Sequence, residues 1–157
     1  MIKRVYIETT IPSYLAARPS RDLLQAARQQ ITHTWWSNEH QNYDLCISEI
    51  VLEEVASGDA DAAQKRLAFL HDLPLLDLTE AVSHTVKAIM RSNLLPAEAT
   101  RDAIHIAVSS VHGVDILLTW NCKHIANAVI MKELRTIVAN CGYELPILCT
   151  PEELLGD

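Results

Sequence analysis

Short apolar runs alternate with longer amphipathic segments along this chain, and this alternation constrains its fold class more than any other sequence feature. The β-prone runs lie at 4–7, 43–47, 73–78, 116–119 and 145–149. Between them, apolar residues recur every three or four positions, which is the spacing of a helix that buries one face. Strands alternating with helices predict an α/β fold, in which a central parallel sheet of four or five strands lies between two helical layers.

Several single residues mark boundaries within this pattern. Ser20 is a candidate N-cap for a helix whose apolar face would include Leu23 and Leu24. Ser48 is a candidate N-cap for the helix that follows the second strand. Pro146 lies within the last apolar run, and because proline lacks the N–H that a sheet requires, we expect this strand at an edge.

Length and charge limit the class of protein. A chain of 157 residues with 49% hydrophobic residues is suited to a single domain over 1–157. The net charge of −7 excludes a broadly basic surface that coats nucleic acid. It does not exclude an enzyme with an acidic pocket, because bound cations reverse the local field.

The remaining composition indicates a cytoplasmic protein. The four cysteines show no paired spacing, so we expect free thiols rather than disulfides or a zinc site. The N-terminus leads directly into a short strand and has no long apolar segment typical of a signal peptide. No apolar run approaches the roughly 20 residues that span a bilayer, so we expect no membrane segment.

Acidic and amide side chains follow the predicted strands. Glu8 comes directly after the first strand, Glu54 lies on the helix after the second, and Asn121 follows the strand at 116–119. Asp102 lies in the first turn of the helix before that strand. In open parallel sheets, sites form beyond the carboxyl ends of the strands where the strand order reverses. If the first and fourth strands are neighbours, Glu8 and Asn121 meet at that point.

Several carboxylates in one crevice indicate a divalent metal. Their mutual repulsion is relieved by a cation, and hard oxygen ligands select Mg²⁺ or Mn²⁺ over zinc. Such ions activate water and stabilise the charge that develops on a phosphate during hydrolysis. The chain has neither of the glycine-rich motifs that cradle nucleotide phosphates.

Four segments together resemble the PIN-domain family, and within it the VapC-type toxins of bacterial toxin–antitoxin pairs. Residues 5–11 are similar to the family's opening strand, which normally ends in Asp followed by Thr or Ser. Residues 54–58 match its helical Glu followed four residues later by Gly, and 102–107 match its Asp-Ala helix start. Residues 117–125 are similar to its late strand and turn, which usually carry Thr, any residue and then Asp.

The resemblance implies a PIN-like α/β/α fold and a Mg²⁺- or Mn²⁺-dependent ribonuclease. It also implies a homodimer and a small antitoxin as partner. The implied catalytic and metal-binding residues are Glu8, Glu54, Asp102 and Asn121. Two of them depart from the family pattern: Glu8 extends the expected Asp by one methylene, and Asn121 removes one charge while keeping an oxygen ligand.

Four further residues are candidates for supporting roles. A hydroxyl of Thr9 or Thr10 could orient a water or a carboxylate. Glu53 competes with Glu54 for the inward position, because one sequence does not fix the rotation of a helix. His105 lies three residues after Asp102 and so shares its helix face.

Three functions follow from these patterns. The leading one is an endoribonuclease of the toxin–antitoxin type that hydrolyses RNA phosphodiester bonds at the acidic cluster. The second is a catalytically weakened PIN-like scaffold that binds a protein or RNA without cutting, which the amide at Asn121 favours. The third is a metal-dependent phosphohydrolase that acts on a small molecule.

Overall fold

The strands and helices of the chain follow the order expected from the sequence. The computed structural model describes residues 1–156. The strands are β1 (Arg4–Ile7), β2 (Asp44–Ser48), β3 (Leu75–Leu76), β4 (Ile116–Leu118) and β5 (Ile147–Cys149). The α-helices are α1 (Thr10–Ala16), α2 (Leu23–Asn38), α3 (Glu49–Val55), α4 (Ala60–Phe69), α5 (Glu80–Arg91), α6 (Thr100–Val111) and α7 (Ala128–Asn140). Short 3₁₀ helices occupy His40–Asn42, Ala97–Ala99 and Pro151–Leu154.

The five strands form one parallel sheet in the order β3-β2-β1-β4-β5. Tyr6 of β1 is in register with Cys46 of β2 on one side and with Leu117 of β4 on the other. The sheet lies between helices, so the three-layer α/β/α prediction is confirmed. The first and fourth strands are neighbours, which meets the condition for Glu8 and Asn121 to lie near each other, and the predicted edge position of the last strand is confirmed.

The core is built around the two central strands. Val5, Tyr6 and Ile7 of β1 have no solvent exposure, and neither do Leu117 and Leu118 of β4. Burial on both faces explains why these runs are apolar at consecutive positions rather than at alternating ones. The polar side chains that follow these strands are therefore anchored at the buried centre of the fold.

The start of α2 differs from the prediction. The helix begins at Leu23, and its N-cap is Asp22, whose carboxylate accepts a 2.9 Å hydrogen bond from Gln25 N. The Ser20 hydroxyl instead accepts a hydrogen bond from Asp22 N. Leu23 and Leu24 are 88% and 61% exposed, because the buried face of the helix is turned away from them. That face carries Gln29, Thr32 and Trp35.

A short helix directly after β1 was not resolved by the sequence pattern. Pro12 fits either a turn or the first turn of a helix, and it lies in the first turn of α1. Ile11 and Leu15 bury one side of this seven-residue helix. Its start, immediately beyond the end of β1, keeps Thr9 and Thr10 beside the carboxyl edge of the sheet.

Among residues 1–156, no helix is both long enough and apolar enough to cross a membrane.

All four cysteines are free, as expected, and two of them are buried. Burial raises the pKa of the Cys46 thiol to about 11 and that of Cys149 to about 12. We expect a thiol reagent at pH 8 to modify exposed Cys122 quickly and to reach Cys46 and Cys149 only after unfolding. Rapid modification of all four thiols in the native protein would contradict this expectation, and peptide mass mapping of the labelled sites distinguishes the two results.

The raised thiol pKa values also predict a loss of stability in alkali. An unfolded thiol ionises near pH 9, whereas the buried ones remain protonated until about pH 11 and about pH 12. The unfolded state therefore binds fewer protons above pH 9, and the free energy of unfolding falls as pH rises through this window. Replacing both buried cysteines with alanine should remove this part of the pH dependence in urea denaturation.

Candidate metal centre

Glu8 lies at the carboxyl end of β1 and is only 4% exposed. Its Oε1 accepts hydrogen bonds from Thr10 N at 3.1 Å, Thr10 Oγ1 at 2.5 Å and Thr119 Oγ1 at 2.6 Å. The Thr10 hydroxyl oxygen also accepts a bond from Trp120 N at 2.8 Å. These bonds join the ends of β1 and β4 and fix a carboxylate that is one methylene longer than the expected Asp.

Glu54 enters the same crevice from α3, whereas Glu53 does not. Glu54 Oε1 accepts hydrogen bonds from Thr9 Oγ1 and His105 Nε2, each at 2.6 Å. Glu53 is largely exposed and forms an ion pair with Arg101 of α6, at 3.6 Å. The rotation of α3 therefore places Glu54 inward, which is the alternative that the Gly58 spacing favoured.

The surroundings of Glu54 keep it ionised. Partial burial by itself would raise its pKa, but the hydrogen bond that His105 donates and the electrostatic attraction of this ring outweigh that effect. The Thr9 hydroxyl and the Arg101 guanidinium act in the same direction, so the pKa lies below its ordinary value. At neutral pH the side chain is a carboxylate, the form that binds a cation.

His105 is completely buried beneath this crevice. Its Nδ1 lies 2.8 Å from the Tyr6 hydroxyl, which in turn lies 2.7 Å from Ser48 Oγ. Burial raises the pKa of Tyr6 well above its ordinary value, so the phenol stays protonated and retains an O–H to donate. Ser48 occupies the N-cap position of α3 as expected, but its side chain makes no capping hydrogen bond and contacts Tyr6 instead.

The tightest cluster of possible ligand atoms consists of Glu8, Glu54 and His105. One ligand atom from each lies within 4.8 Å of the other two. The cluster joins two of the four residues assigned as catalytic with one assigned a supporting role. The other two assigned residues, Asp102 and Asn121, form a second cluster.

That second cluster is organised by His124, which lies in the segment 117–125 but is not among the residues assigned to the site. Asp102 Oδ2 lies 2.9 Å from His124 Nδ1, and Asn121 Oδ1 accepts a 2.9 Å hydrogen bond from His124 N. Asn121 thus closes the turn after β4 with its side-chain oxygen. Asp102 lies one helical turn before His105 on α6, so the two clusters share this helix.

Replacement of Asn121 separates its role in the turn from any role in metal binding. Asn121→Ala removes the acceptor for His124 N, and we expect the free energy of unfolding to fall by about 1 kcal/mol, as for other lost caps. Asn121→Asp keeps an acceptor at the same place and should leave stability nearly unchanged. Urea denaturation of both variants measures the difference; equal losses would contradict the capping role.

The acidic side chains suit a hard cation. Each of Glu8, Glu54 and Asp102 has one oxygen held by neighbouring donors. Their other oxygens, Glu8 Oε2, Glu54 Oε2 and Asp102 Oδ1, make no hydrogen bond to any residue within 1–156. Both ring nitrogens of His105 already have partners. The free donors are thus carboxylate oxygens, which match Mg²⁺ or Mn²⁺ better than zinc.

Comparison with known proteins supports the fold. No protein-family model matches the sequence, and no curated protein is significantly similar to it. Among solved structures, the chain is similar to one described as VapBC2 from Rickettsia felis bound to a DNA fragment from their promoter. The match has a TM-score of 0.55 and 16% identity, and it covers 94% of this chain and 98% of that chain.

The fold is PIN-like. At this identity the match concerns the fold alone, and it agrees with the resemblance to VapC-type toxins in the four sequence segments. The PIN-like fold places Glu8, Glu54 and Asp102 beyond the carboxyl ends of the central strands, where open parallel sheets form their sites.

Proposed function

We propose that this chain is a single PIN-like domain over residues 1–157 and a Mg²⁺- or Mn²⁺-dependent endoribonuclease of the toxin–antitoxin type. The observation that carries the proposal is the set of three carboxylates on β1, α3 and α6, each with one oxygen held in place and one free. Glu8, Glu54 and Asp102 would hold the metal, and Asn121 would serve chiefly through its turn.

The bound metal would supply activation of water and stabilisation of the charge on the phosphate. The protein's own part is to fix the ligands before substrate arrives. Thr10 and Thr119 hold Glu8, and Thr9 holds Glu54 together with His105. Because these donors come from different elements, the carboxylates are positioned by the fold rather than by a flexible loop.

The partners follow from the same resemblance. The solved structure of similar fold is described as VapBC2. By analogy with toxin–antitoxin pairs, we propose that this chain also has a small antitoxin protein as a partner. A homodimer and a cytoplasmic location belong to the same proposal. With a net charge of −7, the chain would grip RNA locally and by shape rather than through an extended basic surface.

A cleavage assay tests the proposal. Labelled structured RNA is incubated with the purified protein in Mn²⁺, Mg²⁺ or chelator, beside Asp102→Asn. We expect cleavage that requires metal and falls roughly a hundredfold or more in the variant, since a weakened metal ligand removes several kcal/mol of transition-state stabilisation. Arg135→Gln, an exposed charge change on α7, serves as the control and should cut normally.

One observation favours the scaffold alternative. Asn121 Oδ1 accepts a hydrogen bond from His124 N within the turn and is therefore less available to bind a metal. It predicts no cleavage by the natural protein and cleavage gained in Asn121→Asp. If no form cuts RNA but small phosphate esters are hydrolysed, the small-molecule phosphohydrolase is supported instead.

A further inference from the structure

A continuous chain of hydrogen bonds runs beneath the candidate metal centre. It joins Ser48 Oγ to the Tyr6 hydroxyl at 2.7 Å, the hydroxyl to His105 Nδ1 at 2.8 Å, and His105 Nε2 to Glu54 Oε1 at 2.6 Å. Thr9 Oγ1 completes it by donating to the same Glu54 oxygen at 2.6 Å. Ser48, Tyr6 and His105 have no solvent exposure, so water does not compete for these bonds.

The chain has one consistent direction of donation. A carboxylate oxygen can only accept, so His105 Nε2 carries a proton and donates it to Glu54. In the tautomer that carries its proton on Nε2, Nδ1 is an acceptor, which requires the Tyr6 hydroxyl to donate. The Tyr6 oxygen is left to accept from Ser48, whose side chain lies against Tyr6 and makes no capping hydrogen bond. The tautomer of His105 is thus set by the Glu54 carboxylate, and the Tyr6 hydroxyl matches it from beneath the crevice.

We propose that His105, whose ring is held in place by Tyr6 and Ser48, is a positioning residue that fixes Glu54 Oε1 and leaves Glu54 Oε2 free to bind the metal. The inference rests on the proposed metal-dependent function. It adds that residues from three elements, β2, β1 and α6, hold Glu54 in place from beneath the metal site. His105 itself is not a ligand, because metal binding through Nε2 would break its bond to Glu54.

Partners of this kind commonly change metal affinity by 10- to 100-fold, roughly, when they are removed. Tyr6→Phe deletes only the hydroxyl and leaves the ring to fill the core. His105→Leu removes both nitrogens, whereas His105→Gln keeps a side-chain N–H that can donate to Glu54. Ser110→Ala, which deletes another buried hydroxyl on α6 whose bond goes to its own helix at Ile106, is the matched control.

The experiment measures Mn²⁺ binding by electron paramagnetic resonance, without RNA and independently of activity. We expect the Kd to rise about tenfold in Tyr6→Phe and 10- to 100-fold in His105→Leu, with a smaller rise in His105→Gln, and to stay unchanged in Ser110→Ala. Thermal melts followed by circular dichroism establish that each variant is folded. If Tyr6→Phe does not fold, Ser48→Ala interrupts the same chain one bond further away.

The outcomes separate the inference from the function on which it rests. Natural protein that binds no Mn²⁺ overturns both. Natural protein that binds Mn²⁺ with the same Kd as folded Tyr6→Phe and His105→Leu overturns the positioning role alone. A spin-echo signal from a directly bound nitrogen that disappears in His105→Gln would make His105 a ligand, and this also overturns the positioning role.

Discussion

Glu54→Gln is expected to lower metal-dependent RNA cleavage by roughly a thousandfold while the protein remains folded. The substitution removes the charge that would bind the metal, and the loss of several kcal/mol of transition-state stabilisation corresponds to about this factor. The amide oxygen can still accept from Thr9 and His105, which hold the natural carboxylate at 2.6 Å. Initial cleavage rates in saturating Mn²⁺, with a thermal melt of each protein, measure the effect.

The neighbouring residue supplies a matched control. Glu53→Gln makes the same chemical change one position earlier on α3, but the Glu53 side chain is 59% exposed and forms a surface ion pair with Arg101. It should cut RNA at close to the natural rate, since an exposed ion pair contributes little. Equal losses in both variants would mean that charge at the end of α3, rather than the inward position of Glu54, governs activity.

Ile106→Ala is expected to have the largest effect on stability, lowering the free energy of unfolding by about 2–5 kcal/mol. Ile106 lies on α6 with no solvent exposure, and it packs in the core with the central strands. Removing three carbons there loses their transfer free energy and leaves a cavity that the rigid sheet does not close. Urea denaturation monitored by tryptophan fluorescence measures the change.

Ile104 on the same helix serves as the comparison. It is only partly buried, so Ile104→Ala removes the same atoms from a site that solvent already reaches. We expect the smaller loss there by at least about 1 kcal/mol, because the surrounding surface can relax into the space. If the free energy of unfolding falls as much in Ile104→Ala as in Ile106→Ala, or more, the assignment of Ile106 rather than Ile104 to the buried face of α6 is wrong.

The fold could be predicted from the sequence because the alternation of strand and helix patterns is repeated along the whole chain. Each alternation of an apolar run with a helical pattern supports the same parallel sheet, so an error at one boundary does not change the topology. The start of α2 shows the limit of such reasoning. Ser20 and Asp22 are both good caps, and only the packing of the following helix decides that Asp22 is used.

The site was predicted at the level of which residues approach the sheet edge, but not of how they contact one another. Glu8 was expected there, yet its bond to Thr119 depends on two strand ends that are 111 residues apart. The contact between Glu54 and His105 depends on the rotations of α3 and α6, which no local pattern fixes. Asn121 was assigned as a ligand from the family pattern, whereas its oxygen closes a turn.

The central place of β1 has a consequence for how the protein is made. β1 is synthesised before both of its partner strands, and one of them, β4, is 111 residues further along the chain, as Val5 pairs with Ile116. The hydrogen-bond partners of Glu8 and Glu54, which are Thr119 and His105, are likewise synthesised much later than the two glutamates. A nascent chain therefore has no assembled site until most of it has been translated. If the protein cuts RNA as proposed, a chain still being synthesised cannot do so before its β4 end and Thr119 have emerged to join β1.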